Sequence, residues 1–97
     1  MLARVVWADR ANDDLRAILD FIATDSPNAA ARYIAGLESA CSRLADFPAL
    51  GRRYDEFTRV LVYRNHLAFY ENDIATGTVT ILMVIDGRRD LERLLDR

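Results

Sequence analysis

The chain reads as one α+β domain, a small antiparallel-rich sheet with a two-helix antiparallel hairpin packed on one face, in the order β-α-α-β-β-β. Three observations predict it. Two apolar stripes of helical spacing flank a Ser26-Pro27 break, three β-branched or aromatic runs separated by turn residues follow them, and 97 residues suffice for a single core over residues 1–97.

Ala3 to Trp7 (A-R-V-V-W) reads as a short opening strand. Ala11, Leu15, Ile18, Leu19 and Ile22 then recur at i, i+4, i+7, i+8 and i+11, so a helix is expected from about Asp9 to Thr24. Asp9, Asp13 and Asp14 near its start suit the positive end of the helix dipole. Ser26 can cap the next helix and Pro27 fits its first position. Ala30, Ile34, Leu37, Cys41 and Leu44 carry that helix over roughly Pro27 to Phe47, and the short connection folds the pair back on itself. Pro48 and Gly51 oppose further helix.

The remainder reads as a β-meander: Thr58 to Tyr63, Leu67 to Glu71 and Thr78 to Asp86. Arg64-Asn65 makes a tight turn, and Asn72-Asp73 with Thr76-Gly77 brackets a looser one. In the last strand, period-2 alternation sends Val79, Ile81, Met83 and Ile85 to one face and Leu82 and Val84 to the other. Both faces are apolar, as in a strand buried on both sides. One helical pair covers one side, so the second face is a candidate docking surface. Leu91 to Leu95 is expected to add either a frayed helical turn or an extended tail.

Composition narrows the function classes. A hydrophobic fraction of 52% argues against disorder, and no apolar run approaches a membrane span. Met1-Leu2-Ala3-Arg4 lacks the apolar core of a signal peptide. The single cysteine, Cys41, cannot form an internal disulfide, which fits a cytoplasmic protein, and its helical neighbours mark it as a small buried hydrophobe. A net charge of −2 gives no overall positive field to attract nucleic acid, although all 13 basic residues are arginine. No metal or cofactor motif stands out.

Ala11-x-x-Asp14-Leu15-x-x-Ile18-x-x-Phe21-Ile22, Leu44-x-x-Phe47-Pro48-x-x-Gly51-Arg52, Arg59, Phe69-Tyr70 and Val84-Ile85-Asp86-Gly87-Arg88-Arg89-Asp90 follow one another in an order that resembles the RelE/ParE superfamily of toxins from type II toxin–antitoxin pairs. The resemblance is stronger to the ParE branch. It implies a growth-inhibiting toxin that poisons DNA gyrase, needs no cofactor and is neutralised by a ParD-like antitoxin of the ribbon-helix-helix type. The RelE branch implies the alternative, a nuclease that cuts messenger RNA on the ribosome. A third reading is an orphan member that binds antitoxin without being toxic.

A nuclease using the RNA 2′-hydroxyl needs a base, cations for the charged phosphorane and an acid for the leaving oxygen. The candidates are His66 or Glu71 as base, Arg59 and Arg89 as cations, and Tyr70 as acid or stacking platform. Asp86 stands where many family members carry histidine, and an ordinary carboxyl, with a pKa of about 3.9, is a poor proton donor at neutral pH. Net charge and this departure favour the inhibitor. Its candidate antitoxin- or target-binding residues are Arg52, Arg53, Arg59 and Arg64, then Leu82, Val84, Arg88 and Arg89, with Leu91, Leu94 and Leu95 of the tail.

Overall fold

A computed structural model of the chain describes residues 2–88. Strand β1 (Arg4–Trp7) is followed by helix α1 (Asp9–Ala23) and helix α2 (Pro27–Ser42). Then come a 3₁₀ turn (Arg43–Ala45), β2 (Arg52–Arg53), β3 (Thr58–Tyr63), β4 (His66–Asp73) and β5 (Thr78–Asp86). The expected α+β class is the observed one.

The five strands form one sheet in the order β1-β5-β4-β3-β2. β1 runs parallel to β5, and the other neighbours are antiparallel. The helices turn back at Thr24–Ser26, where the Ser26 hydroxyl accepts the Ala29 amide at 3.1 Å and Pro27 opens α2. Leu15 of α1 and Leu37, Cys41 and Leu44 on the α2 side are buried against Ala68 and Tyr70 of β4 and Val79, Ile81 and Val84 of β5. Val5 and Trp7 of β1 with Leu61 and Tyr63 of β3 pack at the margins of this core. Burial pushes the Cys41 thiol up to about 12, with Glu38 adding to it, which removes the thiolate that reactivity requires.

Four details depart from the sequence reading. The second helix stops at Ser42 instead of Phe47, and a 3₁₀ turn finishes the connection. β4 reaches from His66 to Asp73, longer than the expected Leu67–Glu71. An additional two-residue strand, Arg52–Arg53, pairs with Val60 and Arg59 of β3.

The fourth departure changes which residues face the helices. Phe69 pairs with Met83 but Tyr70 pairs with Ile81, so Leu82 is an extra residue, a β-bulge. Beyond it the alternation is reversed. Val84 joins Val79 and Ile81 on the helix face, while Met83 and Ile85 pair with Phe69 and Leu67 on the far face. Val84 is 4% exposed and belongs to the core, so it is not a surface residue for a partner. The far face is apolar through Val60, Phe69 and Met83. Leu67 and Phe69 are buried there, however, with the Tyr54 ring set edge-on against Phe69 at 5.1 Å, so it is not the uncovered docking surface that the alternation predicts.

Candidate functional site

The two ends of the sheet carry different chemistry. At one end β3 turns into β4 and β5 finishes, and an open groove of about 790 Å³ lies between them and the second half of α1. Its apolar lining comes from Ile18 and Ile22 of α1, with the Val84–Ile85 segment of β5 along its edge. Phe21, one turn along α1 on the same side, is 77% exposed at the groove wall. Arg10, Asp14, Asp86 and Arg88 supply charges of both signs around it. An apolar lining inside a polar rim, with an unburied aromatic, is the anatomy of a protein-binding groove.

On the α2 side Tyr33 and His66 form a pair. The Tyr33 hydroxyl is 2.6 Å from His66 Nδ1, and the rings meet edge to face at 5.4 Å. Either partner can donate, so the bond survives both states of the imidazole. Burial raises the Tyr33 phenol above its ordinary 10.0. Burial also holds His66 below its ordinary 6.5, an effect Asp86 opposes and Arg88 reinforces. The folded imidazole therefore binds its proton less readily than the unfolded one. Its contribution to stability is complete above about pH 6.5 and is lost as pH falls through the folded-state value. Urea unfolding is expected to show lower stability at pH 5 than at pH 7.5, with a smaller difference in His66→Gln. Asp55, held below its ordinary 3.8 by the Phe57 backbone amide, acts only at lower pH.

Arg64 sits in the β3–β4 turn beside this pair and, among the described residues, is the non-glycine residue with positive φ, +53°. Such a conformation costs about 1–3 kcal/mol in a non-glycine residue. Its guanidinium lies 5.7 Å from the Tyr63 ring centre, a cation–π contact that holds it on the turn.

At the other end, Arg59 and Tyr70 are tied into the loop between α2 and β2. The buried Tyr70 hydroxyl donates to the Pro48 carbonyl at 2.7 Å and accepts the Gly51 amide at 2.8 Å. Burial raises its pKa above the ordinary 10.0. Arg59 Nη1 donates to the Gly51 carbonyl at 2.8 Å and reaches that of Ala49 at 3.4 Å. Together they latch the loop that delivers Arg52 and Arg53, both exposed, to the sheet edge.

The sequence-predicted residues therefore fall into two groups. Arg52, Arg53, Arg59 and Tyr70 gather at the β2–β3 edge, whereas His66 and Arg88 line the groove with Arg64 beside them. His66 and Tyr70 are four residues apart on β4, roughly 13 Å by strand rise. Of the nuclease candidates, His66 is thus at the other end. Glu71 is exposed on the rung next to Tyr70 and alternates to the opposite face of the sheet, and Arg59 and Tyr70 are occupied in holding backbone. Leu82 is half-buried at the bulge. Arg89, Leu91, Leu94 and Leu95 lie outside the described residues.

Sequence reasoning missed Asp14, Phe21, Tyr33 and Asp86 as groove residues. Asp14 carried a readable signal. It lies three residues after Ala11 and four before Ile18, on the stripe α1 turns to the core, where a carboxylate needs a partner. That partner, the Val84 amide at 2.9 Å, is 70 residues away in sequence. Among the described residues no histidine, cysteine and carboxylate cluster has the makings of a metal site, and no helix is long and apolar enough to cross a membrane.

Residues 5–91 match the family described as the ParE toxin of type II toxin–antitoxin systems, parDE. A relative from Caulobacter vibrioides named Toxin RelE2 is 44% identical over 61 residues, which span 63% of this chain and 69% of that protein. Among solved structures, the chromosomal ParDE toxin–antitoxin system of P. aeruginosa superimposes with a TM-score of 0.75 at 19% identity, over 88% of this chain and 96% of the other. The RelBE2 toxin–antitoxin complex of Mycobacterium tuberculosis gives 0.64 at 24% identity, over 89% and 99%. At these identities the two structures speak for the fold.

Proposed function

The chain belongs to the ParE toxin family of type II toxin–antitoxin systems, and on that footing we propose that it is a cytoplasmic inhibitor of DNA gyrase kept silent by a cognate ParD-like antitoxin. The observation that carries this reading is the employment of Arg59 and Tyr70. Both are spent on the loop that precedes β2, and His66 stands at the opposite end of β4. Such an arrangement suits a protein that acts by binding better than one that must move protons around a single phosphate.

The groove supplies a surface for the antitoxin. An amphipathic segment laid along α1 would cover Phe21 and the apolar lining and meet Arg10, Asp86 and Arg88 at the rim. Arg52 and Arg53, held at the far edge by the latch, remain available to the target while that groove is filled.

A second reading, ribosome-dependent cleavage of messenger RNA, draws on the relative named Toxin RelE2. Induction of the chain alone in bacteria separates the two. Gyrase inhibition predicts that DNA-damage signalling precedes any loss of messages, and that co-expression of the antitoxin restores growth. Message loss as the first event, with no damage response, contradicts the proposal. An unaffected culture would favour an orphan that binds antitoxin only.

A further inference from the structure

β5 is longer than the strand beside it. The rungs of β1 end where the Ala8 amide donates to the Ile81 carbonyl at 2.9 Å, yet β5 continues to Asp86. Among the described residues no strand flanks Leu82–Asp86 on that side. An open edge is a template for another strand.

The segment that forms this edge favours self-pairing. Its unflanked part, Leu82-Met83-Val84-Ile85, contains no charge, proline or glycine and continues a run of high β-propensity whose first half, Thr78 to Ile81, is already paired with β1. A second copy of the chain presents the same sequence, so each molecule offers the other a matching edge.

The bulge at Leu82 turns the Val84 amide away from β4 and toward this open side. Asp14 meets it there. Its Oδ2 accepts the Val84 amide at 2.9 Å, and Arg10 Nε, 3.1 Å from both carboxylate oxygens, holds the group in position. Asp14 thus occupies the donor that an added strand requires, and it sets a charge across the path of that strand. Beyond it, among the described residues, the groove leaves room for an extended chain beside residues 84–86.

We propose that Asp14 guards the open edge of β5 against strand addition by a second copy of this chain. The test compares the wild-type chain with Asp14→Ala, Asp14→Leu and Asp14→Asn by sedimentation over a wide concentration range, with circular dichroism as a check of folding. Amide exchange at Val84 is followed alongside. The wild type and Asp14→Asn, whose side-chain carbonyl still accepts the amide, are expected to remain monomeric. Asp14→Ala and Asp14→Leu are expected to fold and to associate as concentration rises. In dilute solution their Val84 amide should exchange about tenfold faster, as expected for loss of a bond to a charged acceptor, and it should slow again as the oligomer forms.

Folded Asp14→Ala and Asp14→Leu chains that stay as monomeric as the wild type would overturn the proposal. So would unfolding of both, because a guard is dispensable to the sheet it protects. A wild-type chain already paired through this edge would overturn it too.

Discussion

Replacing Tyr70 with alanine is expected to lower stability by about 3–5 kcal/mol, the range for removing a large buried ring. Replacing it with phenylalanine should lower it by about 1–3 kcal/mol. Tyr70 is fully buried, and its ring lies in the core with Leu37, Leu44 and Ile81. The alanine variant loses that packing and the latch together. The phenylalanine variant keeps the packing but deprives the Gly51 amide of its acceptor and the Pro48 carbonyl of its donor. In a domain of this size each kcal/mol moves the melting temperature by about 4–8 °C. Thermal melts of the two variants therefore separate the contribution of the ring from that of the hydroxyl. Because the hydroxyl acts on backbone, any toxicity lost in Tyr70→Phe should return when the variant is assayed well below its melting temperature.

Gly51→Ala is expected to be destabilising by about 1–3 kcal/mol, the usual range for overpacking. A Cβ at this position would stand 2.7 Å from the Val60 carbonyl oxygen and 2.7 Å from a Tyr70 ring carbon. Neither neighbour can retreat easily. The carbonyl belongs to the β3 backbone where it pairs with β2, and the ring is fixed by its two hydrogen bonds. Urea unfolding of Gly51→Ala beside Tyr70→Phe should also reveal non-additivity in the double variant, since both act on one contact. Additive losses would mean that the latch does not behave as a unit.

Much of the scaffold was legible in the residues because it rests on local signals. Helical periodicity in α1 and α2, the Ser26-Pro27 restart and the β-branched run Thr78–Asp86 each report on a few neighbours, and each produced the expected element. What escaped depends on partners far along the chain. The strand Arg52–Arg53 exists because Arg59 and Tyr70 pin the loop before it, a relation no two-residue window contains. The Leu82 bulge is a matter of register between β4 and β5, and missing it put Val84 on the wrong face. The helix α2 tightens into a 3₁₀ turn at Arg43, a change that apolar spacing through Leu44 does not signal.

The candidate site was less legible than the fold for the same reason. The arginines were visible as a residue type, but their separation into a latched edge and a groove rim follows from the sheet order. Tyr33 and His66 meet across 33 residues, and Asp14 and Val84 across 70. A carboxylate on the core-facing stripe of α1 signals that Asp14 needs a partner, but nothing local in the sequence names Val84 or pairs Tyr33 with His66.

Supercoiling of relaxed plasmid by purified gyrase, with and without this chain, tests the central claim most directly. The account predicts that supercoiling falls as the chain is added, that cleaved DNA accumulates on the enzyme, and that prior mixing with the antitoxin abolishes both effects. Undiminished supercoiling by gyrase, together with cutting of messages on translating ribosomes by the same preparation, would contradict it.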